Sequence, residues 1–224
     1  MYYFDPMYFL FLAPAMAMAL WAQWRIHAAY SEAQKLAAPL SGAGAARHVL
    51  DSAGLQAIEI EQVPGHLSDH YDPRAKVLRL SPEVFQSRSL AAVGIAAHEA
   101  GHAIQDARAY APMTIRNAVV PVANFGSGSG MLLFMVGMFM GIKILIMAGI
   151  VLFSAVVFFQ LVNLPVEFNA SNRAKKELVA LGIVDPPQMV YVNRVLNAAA
   201  WTYVAATLQS VLTLLYLVMR SDRD

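Results

Sequence analysis

Two histidines and a glutamate lie within five residues at positions 98–102, in the sequence HEAGH. If this stretch is helical, the four-residue spacing places His98 and His102 on one face, about one turn apart. Glu99 then projects roughly 100° away from His98, where it can approach a metal-bound water without coordinating the metal. The pattern therefore predicts two zinc ligands and a general base.

The residues around this motif favour a functional interpretation over chance. The stretch from Leu90 to Ile104 is otherwise small and apolar, so the two histidines and the glutamate are its only ionisable groups. Burying them without partners would be costly, and a bound metal would remove that cost. Gly101 is expected to let another backbone or a substrate approach closely. The alternative is a buried helix that carries two incidental histidines.

Composition places the chain in a membrane. Of its 224 residues, 58% are hydrophobic and only 14% are charged, which is unusual for a soluble domain. The net charge of +1 and the lack of a basic patch exclude nucleic acid as a partner, and the lack of a Walker-type loop excludes a nucleotide. Because the chain has no cysteine, any zinc must be held by histidines and carboxylates.

Four apolar stretches are long enough to cross a hydrocarbon core of ~30 Å. The first is predicted within residues 1–24, the second and third within 118–163, and the fourth within 196–224. Lys143 is the only charge between residues 118 and 160. A cleaved signal peptide is the alternative for the first stretch, but Asp5 precedes it where a signal sequence would carry Lys or Arg.

Residues 25–117 have the composition of a soluble α+β segment. They are predicted to contain helices, a strand over residues 57–63 and a β-hairpin in the sequence HYDPRAKVLRLS. Polar and apolar residues alternate over Lys76–Leu80, which favours an edge strand, and zinc proteases commonly bind extended substrates along such an edge. A half-buried strand without that role is the alternative. The HEAGH helix is predicted from about residue 89 to residue 108.

Residues 164–195 form a second soluble segment. Pro165 is predicted to start a separate helix, because proline is favoured at the first helical position, and Gly182 to end it. Both soluble segments are expected in the cytosol, since together they contain thirteen of the sixteen Lys and Arg residues. The catalytic site would therefore face the cytosol.

A catalytic zinc takes three protein ligands, so one more is needed. Glu167, in the first turn of the predicted second helix, is a candidate. On position alone, an acid stabilised by the helix N-terminus explains Glu167 equally well. Asp106 lies a further turn beyond His102 and is better placed to orient an imidazole than to bind the metal.

Three segments together resemble one bacterial membrane family: HEAGH, PVEFNASNRA and SDHYDPRAKVLRLS. This is the family called "putative neutral zinc metallopeptidases", the YugP-like proteins, and the resemblance covers nearly the whole chain. It implies a mainly α integral membrane protein of the bacterial plasma membrane, with about four transmembrane helices and a small α+β zincin-like (gluzincin) catalytic domain. It also implies one catalytic zinc, held by His98, His102 and Glu167.

The sequence departs from related families after the third ligand. The HtpX-like and CaaX-prenyl proteases, which are membrane gluzincins, have Glu-x-x-Ala-Asp on this helix, whereas here the sequence is EFNAS. Ser171 thus stands where the aspartate would, and Ser171, Asn169 or Asp106 would have to hydrogen-bond a metal ligand in its place. The candidates for oxyanion support are His70, Tyr71 and Arg173.

The predicted reaction is hydrolysis of peptide bonds in a protein or peptide substrate, membrane-associated substrates included. Zinc would acidify its bound water, and Glu99 would take the proton and deliver it to the leaving amine. One alternative is a non-catalytic scaffold or assembly factor stabilised by zinc. Another is a site-2-type intramembrane protease, but the chain lacks the LDG segment that such enzymes pair with HExxH.

Overall fold

The computed structural model describes residues 6–221, so the parts of the predicted first and fourth spans at residues 1–5 and 222–224 lie outside the described residues. The described chain is mostly helical and contains one small sheet, as predicted. Its helices are α1 (Pro6–Gln34), α2 (Gly42–Ser52), α3 (Pro82–Gln86), α4 (Leu90–Ala107), α5 (Ala111–Met140), α6 (Lys143–Ala180) and α7 (Met189–Ser221). Its strands are β1 (Glu59–Gln62), β2 (His70–Asp72) and β3 (Val77–Leu80).

Four helices, α1, α5, α6 and α7, are long and apolar enough to cross a membrane. They contain the four predicted apolar stretches, but each has 29 to 38 residues, more than the ~20 that a hydrocarbon core requires. The first helix, for example, continues past residue 24 to Gln34. Each helix is longer than the apolar stretch it contains because polar residues can also adopt helical conformation. The helix therefore extends beyond the part that would lie in the hydrocarbon core.

The chain divides into two compact units. Unit 1 is described over residues 6–22, 114–165 and 201–221, and its core contains Phe134, Ile146 and Leu217. Unit 2 comprises residues 23–113 and 166–200 and contains the HEAGH motif, the sheet and Glu167. The core of unit 2 includes five fully buried leucines, namely Leu50, Leu78, Leu80, Leu90 and Leu178.

Helix α4, which carries HEAGH, is the buried centre of unit 2. The hydroxyl of Ser89 accepts a hydrogen bond from the backbone N–H of Ala92 at 3.2 Å, which satisfies one of the free amides at the helix start. Fourteen of the eighteen residues of α4 are buried. Because most of these residues are Ala or Gly, neighbouring elements approach the helix closely, and its polar side chains lie in a setting with little water.

The sheet has the strand order β1-β3-β2, so β3 is the central strand and the predicted edge position of Lys76–Leu80 is wrong. The predicted hairpin is present, since β2 pairs antiparallel with β3, but β1 pairs with β3 in parallel on the other side. Alternation along β3 reflects its two faces, because Leu78 and Leu80 are fully buried and the intervening Arg79 is not. Alternation of polar and apolar residues along a strand therefore indicates that one face is buried, but it does not indicate whether the strand has neighbours on one side or on both.

Helix α6 is continuous from Lys143 to Ala180, so the predicted helix start at Pro165 is also wrong. Pro14 and Pro121 likewise lie inside helices. A proline has a φ compatible with the helix and removes one backbone donor, a loss that long apolar helices tolerate when their surroundings compensate. Consequently the helix that contains the third predicted span also carries Glu167.

The start of α2 provides a stability prediction for unit 2. A Cβ atom on Gly42 would clash with the carbonyl oxygen of Val84, whereas one on Gly44 would meet its nearest neighbour, the Ser41 hydroxyl, at 3.4 Å. We expect Gly42→Ala to lower the free energy of unfolding by about 1–3 kcal/mol, because overpacking forces the backbone apart. Gly44→Ala, the matched control, should leave it unchanged or raise it by up to about 1 kcal/mol. Thermal unfolding in detergent, followed by near-UV circular dichroism, distinguishes the two, and equal midpoints would contradict the prediction.

Candidate metal centre

Three side chains converge between α4 and the second half of α6. The Oε2 atom of Glu167 lies 3.2 Å from Nε2 of His98 and 3.6 Å from Nε2 of His102. One ligand atom from each residue lies within 4.8 Å of the others. All three side chains are buried, with 9% of His98, 7% of His102 and 5% of Glu167 exposed. The structure thus brings the distant carboxylate to the two histidines of HEAGH.

The geometry and chemistry of this cluster fit zinc. Zinc bonds of about 2.0–2.2 Å in a tetrahedron place neighbouring ligand atoms roughly 3.4 Å apart, which is close to the separations from Glu167 to the two imidazoles. Two imidazole nitrogens and one carboxylate oxygen are a donor set found in catalytic zinc sites, where the fourth position is left for water or substrate. Among the described residues, no other group of His, Cys, Asp or Glu has such a geometry.

Glu99 lies beside the cluster and outside it. Burial raises the pKa of its carboxyl group above the ordinary value, although the nearby His98 and His102 act in the opposite direction. The side chain is only partly buried, and within residues 6–221 its carboxylate has no hydrogen-bond partner. A carboxylate with these properties is suited to accept a proton from a water molecule at the cluster.

A glycine lets the two helices approach at the cluster. A Cβ atom on Gly101 would lie 2.7 Å from the backbone oxygen of Ala170, which is close to both Glu167 and Ser171 in sequence. The expectation that Gly101 admits another backbone is therefore confirmed, and the backbone is that of α6. This close approach sets the distance between the histidines on α4 and the carboxylate on α6.

We expect Gly101→Ala to disturb the centre through this contact. The added methyl group should push α6 away from α4, lower the free energy of unfolding by about 1–3 kcal/mol and weaken zinc binding. Gly128→Ala is the control, because a Cβ there would meet no atom within 4 Å. Zinc affinity measured by competition with a chromophoric chelator tests the prediction, and a Gly101→Ala protein with wild-type affinity would contradict it.

Each imidazole has a second polar neighbour on its other ring nitrogen. Nδ1 of His98 lies 3.1 Å from the hydroxyl of Ser171, and Nδ1 of His102 lies 3.0 Å from Oε1 of Gln105. Because these contacts engage Nδ1, they leave both Nε2 atoms directed at Glu167. Ser171 thus contacts an imidazole, as the sequence suggested for a residue at this position.

Asn169 and Arg173 are connected to His102 through Gln105. The Nε2 group of Gln105 donates to the backbone oxygen of Val166 at 2.7 Å and to Oδ1 of Asn169 at 3.0 Å. Nε of Arg173 donates to the same Asn169 oxygen at 2.7 Å. These bonds engage Arg173 with Asn169, so its placement does not single it out for oxyanion support.

Asp106, Tyr71 and His70 make other contacts. Asp106 accepts hydrogen bonds from the Tyr71 hydroxyl at 2.8 Å and from the Lys76 ammonium group, so it joins the hairpin to the end of α4 rather than bonding an imidazole. Burial and the bond to Asp106 raise the pKa of the Tyr71 phenol, which stays a donor. Nδ1 of the exposed His70 lies 2.8 Å from the Ser68 carbonyl oxygen.

Gln105 is the residue that sequence reasoning missed. It follows His102 by three residues, which places it near the same helix face, and it is completely buried. The available signal was a glutamine directly after the apolar residues Ala103 and Ile104 of the predicted helix, because a buried amide requires hydrogen-bond partners. The sequence favoured Asp106, the next residue, for a contact with an imidazole.

Two comparisons with known proteins gave matches over most of the chain. Residues 8–222 match the family model described as "Putative neutral zinc metallopeptidase". The chain is 46% identical over 216 residues to the "Putative membrane protease YugP" of Bacillus subtilis (strain 168), covering 95% of this chain and 96% of that protein. No solved structure matches the chain. The extent of both matches, across the apolar helices and the His-His-Glu cluster alike, identifies the chain as a member of this zinc metallopeptidase family.

Proposed function

We propose that the protein is a membrane-integral zinc-dependent endopeptidase that hydrolyses peptide bonds at the cytosolic face of the bacterial plasma membrane. The observation that carries the proposal is the convergence of His98, His102 and Glu167, with the Glu99 carboxylate close enough to the two histidines to interact with them electrostatically. In this proposal unit 2 is a small zincin-like, gluzincin-type catalytic domain. The cytosolic placement rests on the excess of Lys and Arg in residues 25–117 and 164–195.

The roles of the residues follow from their chemistry. His98, His102 and Glu167 would hold one zinc ion, which when bound acidifies water and polarises the scissile carbonyl group. Glu99 would accept the proton of the attacking water and pass it to the nitrogen of the leaving amine. Its raised pKa suits both steps, because a carboxyl that holds a proton more tightly is a stronger base and can still act as an acid.

The substrate class follows from the reaction and the setting. The substrate would be a protein or peptide, and membrane proteins with cytosolic segments are included because α6 contains both an apolar span and Glu167. Such a substrate segment would have to be extended at the point of cleavage, since the scissile bond must reach buried ligands.

Chelation and reloading test the proposal directly. The purified protein, reconstituted in lipid, is incubated with a denatured bacterial proteome and a detergent-solubilised membrane extract, and new N-termini are identified by mass spectrometry. We expect cleavage sites that disappear with a zinc chelator and return when zinc is added. If neither substrate pool contains a chelator-sensitive cleavage site, the peptidase proposal is wrong and a zinc-stabilised scaffold becomes the better interpretation.

A further inference from the structure

The two imidazoles of the cluster are held by different kinds of group. His98 faces a hydroxyl, which both donates and accepts hydrogen bonds, whereas His102 faces a side-chain amide. A hydroxyl does not determine which nitrogen of the ring carries the proton. An amide oxygen does, because it only accepts.

The direction of each hydrogen bond behind His102 is fixed by its neighbours. Nε of Arg173 can only donate, so the Asn169 atom 2.7 Å away must be the oxygen of the amide. The backbone oxygen of Val166 can only accept, so the Gln105 atom 2.7 Å away must be the NH₂ group. The two hydrogens of this NH₂ group match its two acceptors, the Val166 and Asn169 oxygens.

These hydrogen bonds determine which nitrogen of His102 carries the proton. With its NH₂ group engaged, Gln105 directs its oxygen to Nδ1 of His102, which must then carry the hydrogen. A neutral imidazole has one N–H, so Nε2 of His102 keeps its lone pair and faces Glu167. Gln105 is fully buried, so water does not compete for these bonds.

We propose that Gln105, Asn169 and Arg173 form a hydrogen-bonded relay that holds His102 in the tautomer whose Nε2 binds the metal. Gln105 is the positioning residue, Asn169 orients its amide and Arg173 orients Asn169. Metal-bound histidines commonly use a carboxylate or a backbone carbonyl for this purpose, and here a neutral amide anchored to a cation takes that role. The inference rests on the proposed zinc centre and adds three residues that support it.

The relay predicts a spectroscopic signature in the wild-type protein. In zinc-loaded protein with ¹⁵N-labelled histidine, a long-range ¹H–¹⁵N spectrum should show coordination of His102 through Nε2 and a slowly exchanging proton on Nδ1. Assignment uses the signals lost in His102→Asn. Coordination through Nδ1, or an Nδ1 proton that exchanges as fast as that of an exposed histidine, would overturn the inference without any variant of the relay.

Substitution of Gln105 provides the second test. We expect Gln105→Met, which keeps the length of the side chain, to lower zinc affinity by about 10–100-fold and to accelerate exchange of the His102 Nδ1 proton. Gln86→Met is the matched control, since Gln86 is a glutamine that donates to another glutamine, Gln62, away from the cluster. Wild-type affinity and exchange in Gln105→Met would overturn the inference.

Two further variants separate the possible failures. Asn169→Leu removes the partner of Gln105 instead of the partner of His102, at a half-buried position. It should also accelerate exchange of the His102 Nδ1 proton, so it provides the test if Gln105→Met does not fold. Unchanged exchange in a folded Asn169→Leu protein would overturn the relay. Glu167→Gln examines the centre itself: if it loses zinc while the Gln105 and Asn169 variants behave as wild type, only the relay is wrong. If Glu167→Gln retains zinc, the proposed centre and the relay are both wrong.

Discussion

Replacement of Glu167 by glutamine is expected to lower zinc affinity by more than about 100-fold, beyond the loss caused by removing a residue that only supports a ligand. The amide is nearly the same size as the carboxylate but is neutral and a much weaker ligand for zinc. The site is buried, so no solvent-exposed group can move in to replace it, and no other carboxylate of the described residues joins the cluster. Chelator-sensitive cleavage should be lost with the metal.

The matched control for this substitution is Glu177→Gln. Glu177 lies on the same helix, α6, is half-buried and is outside the cluster, so its replacement should leave zinc affinity unchanged. Competition with a chromophoric chelator measures both variants, and circular dichroism confirms that they are folded. Tight zinc binding by Glu167→Gln would place the metal elsewhere and remove the basis of the proposed mechanism.

The local part of the site was predictable from the sequence. The spacing of His98 and His102 has one structural meaning on a helix, and the apolar sequence around them favours that helix. Glu167 was different, because its position alone does not distinguish a ligand from an acid at a helix start, and only the resemblance of PVEFNASNRA to the family singled it out. The structure places it by packing α6 against α4, where the backbone of Ala170 reaches Gly101. Long-range packing of this kind is not encoded in a short motif.

In the fold, too, local features were predictable from the sequence and contacts between distant segments were not. The end of a helix at Gly182 was predicted, and Gly182 has the positive φ for which glycine is favoured. The strand order was not predicted, since β1 pairs directly with β3 and skips β2, which lies between them in sequence. The start of α6 was misjudged because a proline signal is ambiguous: the same residue is favoured at a helix start and tolerated inside a long apolar helix.

The relay behind His102 could be predicted only in part. A glutamine three residues after His102 is visible in the sequence, and its need for hydrogen-bond partners when buried follows from simple chemistry. The identity of those partners is not visible, since Asn169 and Arg173 lie more than sixty residues further along the chain. Ser171, which the EFNAS segment indicates, contacts His98, whereas His102 is held by Gln105 from α4 itself.

Replacement of Glu99 by glutamine is the second variant with a large expected effect, and it separates catalysis from metal binding. The turnover number should fall by about 10²–10⁴-fold, the contribution typical of a general acid–base, because an amide cannot accept the proton of water. Zinc content should stay at the wild-type level, since Glu99 is not part of the ligand cluster. Initial rates on a peptide identified by the cleavage profile, together with zinc analysis of the same sample, measure both quantities.

The control for Glu99→Gln is Glu83→Gln, an equivalent change on α3. Glu83 is half exposed and pairs with His66 at 3.2 Å, so its replacement should alter neither turnover nor zinc content. A Glu99→Gln protein that keeps both zinc and turnover would assign proton transfer to another group, and one that loses zinc would make Glu99 a ligand. A protein whose cellular role survives Glu99→Gln would instead be a zinc-stabilised scaffold. Retained zinc combined with lost cleavage is thus the one result predicted by a Glu99 carboxylate that lies beside the His98, His102 and Glu167 cluster without being part of it.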